Sequence, residues 1–200
     1  MVWLMAVLAR LEAAAPRLGL TPDVLNFVGL GFGIFSGALI CLNQPEGGAL
    51  ALGIAGVADI LDGRIARRMG LVSRYGQFID STVDRFVEVA VLLALAYYLR
   101  GHPWGPQAAA AALAGSLLVS YTRARGESVG VVCTGGLMPR AVRLVLTLVA
   151  CLFDRWISML CGAPSGSLLM LVLIMIALGT FWTAVYRTYW IARRLRSHPA

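Results

Sequence analysis

Residues Ala58 to Phe86 read ADILDGRIARRMGLVSRYGQFIDSTVDRF, and the rest of the chain is best understood from this stretch. It places Asp59, Asp62, Asp80 and Asp84 close together in a sequence that is 59% hydrophobic. Asp59 and Asp62 are three residues apart, while Gly76, Asp80 and Asp84 recur every four, so each set shares one face of a helix. Two facing helices can present all four carboxylates to a single point. Bare carboxylates gathered at membrane depth repel one another and lose their hydration. A hard divalent cation relieves both costs, and all-oxygen ligands suit Mg²⁺, Mn²⁺ or Ca²⁺ rather than zinc. Four acids suffice for two such ions. Two other readings stand beside this one. The acids could form a structural ion network with Arg64, Arg67, Arg68 and Arg85, or mark the ion path of a coupled transporter.

The composition bounds the setting. A mean hydropathy of +0.78 over 200 residues exceeds that of an ordinary soluble domain and points to an integral membrane protein. The formal charge is +7, and all 17 basic residues are arginine. With no separate basic domain, the charge argues against nucleic acid and for anionic lipid or phosphate. Cys41, Cys133, Cys151 and Cys161 lack metal-site spacing and read as small apolar residues.

Apolar runs and their punctuation predict an all-α integral membrane protein. A single membrane domain fills residues 1–200: a juxtamembrane amphipathic surface helix within 1–20, then a bundle of six transmembrane helices over 21–200. The predicted spans are about 24–42, 49–69, 75–99, 107–125, 140–160 and 167–196. Asn43 to Gly48 reads as a turn and Gly126 to Met138 as a glycine-rich loop. Thr21-Pro22-Asp23 is a helix start. With the N-terminus in the cytoplasm, six crossings bring the charged helix ends to the cytoplasmic side. Only Arg100 and Arg155 of the 17 arginines then fall outside, as the positive-inside rule requires. The expected location is therefore the cytoplasmic (inner) membrane, with a polar cavity open to the cytoplasm. Small residues thin one side of the second helix. Gly53 and Gly56 suit close helix packing, whereas Gly63, beside Asp62, leaves room for a bulky ligand. His102 flanks the membrane with no evident partner in the sequence.

Written as a pattern, Asp59 to Asp84 is D-x2-D-G-x2-A-R-x8-G-x3-D-x3-D, filled by Asp59, Asp62, Gly63, Ala66, Arg67, Gly76, Asp80 and Asp84. It resembles the signature of the CDP-alcohol phosphotransferase family, and the likeness extends to the surface helix and six spans. TPDVLNFVGL resembles the family's T-P-N-x-L-T motif, with Asp23 and Asn26 in place of the commoner residues. The resemblance implies an enzyme that moves a phosphatidyl group from a CDP-linked lipid to an alcohol, with CMP leaving. It implies that Asp59, Asp62, Asp80 and Asp84 hold Mg²⁺ or Mn²⁺, that Gly63, Ala66, Arg67 and Gly76 line the CDP-lipid site, and that Asp84 is the catalytic base.

The acceptor is read further along. SYTRARGESVGVVCTGGLMPRAVRLVL resembles the Y-x-K-A-R-A-E and G-x-x-x-R-x-E-R segments of phosphatidylinositol phosphate synthases, with Arg123, Gly126 and Val142 as departures. By that resemblance Arg123, Arg125, Arg140, Arg143 and Arg187 bind the acceptor's phosphate, and the acceptor is a phosphorylated polyol such as inositol phosphate. Guanidinium groups gathered at one mouth need an anion, and arginine suits phosphate. Taken singly, each arginine also fits positive-inside anchoring, the preferred reading for Arg193, Arg194 and Arg196. Glycerol 3-phosphate is the competing acceptor. Membrane lipids surround the bundle, and the sequence leaves a homodimer open.

Overall fold

The computed structural model describes residues 21–197; the expected surface helix at 1–20 and His198 lie outside them. The described chain is all helical apart from its connections. Its long helices are α1 (Pro22–Cys41), α2 (Pro45–Arg68), α3 (Arg74–Tyr98), α4 (Gly105–Ser128), α5 (Arg140–Leu160) and α6 (Ser167–Ser197), with a short 3-10 turn at Leu99–Gly101.

Local chemistry sets the helix starts. The Thr21 hydroxyl accepts from Val24 N at 3.3 Å, and Pro22 supplies a first-turn residue that needs no donor. Ser73 caps α3 by accepting from Gly76 N at 3.0 Å. The expected turn at Asn43–Gly48 is shorter than the sequence suggested. Pro45 and Glu46 instead form the first turn of α2, where a proline and an acid suit the exposed amides.

The helices close into a ring. α1 packs on α2 and α3, α2 on α5, α5 on α6, α6 on α4, and α4 on α3. Glycines allow the closest approaches. A Cβ on Gly37 would stand 3.2 Å from the carbonyl of Ala90, and one on Gly115 would collide with Thr180. Gly53 and Gly56 face Leu148 and Leu144 of α5, so they serve helix packing as expected.

Apolar packing concentrates at one end of the ring, around Ile40, Leu95, Leu99, Ala109, Leu169 and Leu173, all at most 1% exposed. The other end holds the signature aspartates. The surface is inverted relative to a soluble protein. Leu50, Ile54, Val57, Phe78, Phe86, Val145, Phe153 and Leu178 are exposed, whereas Asp62, Asp84, Arg143, Asp154 and Arg187 are buried. Among the described residues, α1 and α6 are the helices long and apolar enough, by composition, to cross a membrane. In α2, α3 and α5 the inward-facing charges lower the average hydropathy while the outward faces stay apolar. In α4, Pro106 and Gln107 at one end and Arg123 and Arg125 at the other have the same effect.

At the apolar end, Asp154 is fully buried on α5 and holds the start of α6. Its carboxylate accepts from Gly166 N at 2.6 Å, Leu169 N at 3.1 Å and the Ser165 hydroxyl at 3.3 Å. His102 does have a partner, donating from Nε2 to the Ser165 carbonyl at 2.5 Å. Replacing Asp154 by Ala orphans buried amides, each worth about 1–3 kcal/mol. The expected result is a lower thermal midpoint in detergent than Asp154→Asn gives, followed by tryptophan fluorescence.

Candidate active site

Three of the four signature aspartates meet. One carboxylate oxygen from each of Asp59, Asp80 and Asp84 lies within 4.8 Å of the others. Asp59 comes from α2, and Asp80 and Asp84 come from one face of α3. Asp62 is not part of this triad. Residues three apart on a helix are splayed by about 60°, and Asp62 stands between the large cleft and a small cavity that it lines with Asp59, Asp84 and Arg140. It is 5% exposed, and its Oδ2 finds no protein hydrogen-bond partner.

The large cleft measures about 730 Å³ and is walled by the start of α1, the end of α2, the α2–α3 turn and the start of α3. Gly63, Ala66, Arg67 and Gly76, which the family resemblance implies for the CDP-lipid, all line it. Asp62 and Asp80 stand at its border with the carboxylate centre. At Gly63 an added Cβ would find only the tip of Arg67 within 4 Å, so the wall is open there. Asp23 and Asn26, the departures in the first-helix motif, line the same cleft. Asn26 is buried and donates from Nδ2 to the Pro22 carbonyl at 3.3 Å.

The expected acceptor arginines do not form one free cluster. Arg140 lies on the carboxylates themselves. Its Nη1 donates to both oxygens of Asp59, at 3.0 and 3.1 Å, and its Nη2 pairs with Asp84. Arg143 is 3% exposed; it donates from Nε to Glu88 Oε1 and from Nη1 to the Met138 carbonyl, both at 2.8 Å. Arg187, 5% exposed, donates to the carbonyls of Gly135 at 2.8 Å and Val119 at 3.0 Å. Arg123 and Arg125 are exposed near the end of α4, where Arg123 pairs with Glu127 at 2.8 Å and Arg125 lies by Ser128. The ion-network reading is met in part: the guanidinium on Asp59 and Asp84 comes from α5, while Arg85 stands 3.9 Å from Asp84.

Sequence reasoning gave Glu88 no role. It follows Asp84 by one turn on the same face, which was the available signal, and it carries the buried pair with Arg143. Its Oε2 lacks a protein partner, and a small chamber of about 40 Å³ lies beside it, lined also by Asp84, Ser116, Arg140 and Thr147.

The donor set fits a divalent cation. Three converging carboxylates, with an orphaned buried oxygen of Asp62 nearby, offer hard ligands that arginine alone leaves incompletely paired. Asp59, Asp80 and Asp84 would hold it, with Asp62 at the cleft side.

Residues 20–195 match the family described as CDP-alcohol phosphatidyltransferase. The chain belongs to that family. It is therefore an enzyme, a phosphatidyltransferase of phospholipid synthesis, and not an ion-coupled transporter. A phosphatidylinositol phosphate synthase of Streptomyces avermitilis is 34% identical over 194 residues, covering 94% of this chain and 78% of the relative. The crystal structure of the Mycobacterium tuberculosis phosphatidylinositol phosphate synthase with CDP-DAG bound superposes with a TM-score of 0.80 at 26% identity, covering 93% of this chain and 94% of that one. The same enzyme with manganese and citrate gives 0.80 at 27% identity, covering 92% and 88%.

The carboxylate geometry generates a direct test. Asp80→Asn removes one of three converging charges while sparing the buried packing. Mn²⁺ affinity, measured by electron paramagnetic resonance, should fall about ten-fold or more. CMP release should be lost, and the variant should still purify as a folded membrane protein. Unchanged Mn²⁺ affinity would remove Asp80 from the ligand set.

Proposed function

We propose that this enzyme transfers the phosphatidyl group of a CDP-diacylglycerol-type lipid to a phosphorylated polyol such as inositol phosphate, releasing CMP. The observation that carries this reading is the single cleft that gathers Gly63, Ala66, Arg67 and Gly76 and ends at Asp62 and Asp80. Its volume falls within the range of small-molecule sites, roughly 300–1,000 Å³. The relatives support inositol phosphate as acceptor, since the Streptomyces and Mycobacterium proteins are named for that product.

In this reading the CDP moiety lies along the cleft, with Arg67 on the pyrophosphate and Gly63 and Gly76 giving it room. Asp59, Asp62, Asp80 and Asp84 would hold one or two divalent ions, which would supply positive charge to the pyrophosphate and the departing CMP phosphate. The acceptor hydroxyl attacks the lipid-side phosphorus, the bond to the bridging oxygen breaks, and CMP leaves. Asp84 takes the hydroxyl proton. The acceptor's phosphate meets Arg140, with Arg143, Arg187, Arg123 and Arg125 as the surrounding guanidinium groups. Arg143 and Arg187 each spend donors on backbone carbonyls, which fixes their orientation and leaves further N–H groups for an anion.

The six long helices cross the inner membrane as a single domain, with the aspartate end facing the cytoplasm. The inverted surface supports this. Apolar side chains cover the outside of helices whose charges point inward, the arrangement a bilayer requires. Lipid then enters the cleft from the side and the polar acceptor from water.

Two experiments test the reaction. Purified enzyme with CDP-diacylglycerol and Mn²⁺ should release CMP with inositol phosphate and much less with glycerol 3-phosphate or unphosphorylated inositol. Preference for glycerol 3-phosphate would replace the acceptor, and preference for free inositol would remove the phosphate site. The Asp84→Asn variant should lose turnover and keep CDP-lipid binding, measured by titration calorimetry. Equal loss of both would make Asp84 a ligand and not the base.

A further inference from the structure

The segment between α4 and α5, residues 129–139, has one buried side chain, Cys133, and exposed ones at Val129, Val132 and Leu137. It descends along α6. Near its start, Val131 O lies with Ile191 against Gly126. Gly135 lies on Tyr186, Gly136 on Thr183, and Met138 on Gly179. Those α6 contacts span 12 residues, about 18 Å of helix at 1.5 Å per residue. Non-helical backbone packed on a helix needs partners for the amides and carbonyls that it turns inward.

Three side chains provide this. The buried hydroxyl of Thr183 accepts from two successive amides, Leu137 N at 3.1 Å and Met138 N at 3.2 Å, and donates to Gly179 O at 2.7 Å. Arg187 takes the Gly135 carbonyl, and Arg143 takes the Met138 carbonyl while held by Glu88. Gly136 has φ +136°, and a Cβ there would strike Thr183, so the strap is shaped to this contact. Two residues after Met138 comes Arg140, whose guanidinium lies on Asp59 and Asp84.

We infer that Thr183 is a positioning residue for the acceptor half of the site: it sets the depth of the strap and, through it, the place of Arg140. The inference rests on the transferase reading above. It separates the two substrates, because the donor cleft is lined wholly by residues from Thr21 to Asp80, none of which belongs to the strap, α4, α5 or α6. A displaced strap therefore moves the acceptor's contacts and leaves the nucleotide's wall in place.

The test is a pair of substrate titrations on wild type, Thr183→Val and Thr183→Ser, following CMP release. Val preserves shape and removes the acceptor of two part-buried amides, while Ser keeps the acceptor oxygen. The expected result is an acceptor KM raised about ten-fold or more in Thr183→Val, a CDP-lipid KM within about two-fold, and recovery in Thr183→Ser. Both constants unchanged, or both rising together, would overturn the assignment, since a merely structural residue gives one of those outcomes. In parallel, hydrogen exchange on the wild type needs no variant to fold: the Leu137 and Met138 amides should exchange as slowly as helix-core amides, and fast exchange would overturn it. A wild type that releases no CMP would instead refute the transferase reading itself.

Discussion

The structure depends on bringing three carboxylates within reach of one cation inside an apolar ring. Left alone, Asp59, Asp80 and Asp84 repel one another where water is scarce. The fold answers with the charge of Arg140, delivered from a different helix, and with an all-oxygen donor set that a divalent ion completes. Much else follows from placing those charges. The large apolar cluster lies at the opposite end, Asp154 fastens the start of α6 there, and glycines let the helices close around a polar centre.

The two halves of the chain divide the labour. α1 to α3 build the large cleft and contribute the three converging carboxylates. α5 contributes Arg140, the guanidinium that lies on Asp59 and Asp84, while Arg67 and Arg85 come from α2 and α3. The halves meet where Arg140 touches Asp59 and Asp84.

Much of this was legible in the sequence because it was local. The helix start at Thr21–Pro22 follows from capping chemistry, and α5 begins at Arg140 as expected. The spacing of Asp80 and Asp84 fixed their common face. Asp62 was less legible: a shared helix face is wide enough for it to line the cleft while Asp59 joins the triad. The start of α2 was hidden by Gly47 and Gly48, which read as turn residues although Pro45 and Glu46 favour a helix start. The commitments of Arg143 to Glu88 and of Thr183 to Leu137 and Met138 join residues 45 to 55 positions apart. No local pattern encodes such pairs; they appear only when the ring closes.

The central claim is that Asp59, Asp80 and Asp84 form a divalent-cation centre at the inner end of the nucleotide cleft. Anomalous diffraction at the manganese edge, on crystals grown with Mn²⁺ and a CDP-lipid, tests it most directly. The account predicts an anomalous peak at those three carboxylates, with Arg140 displaced from at least one of its two aspartates. A peak elsewhere, with the Arg140 pairs intact and the lipid bound, would contradict it.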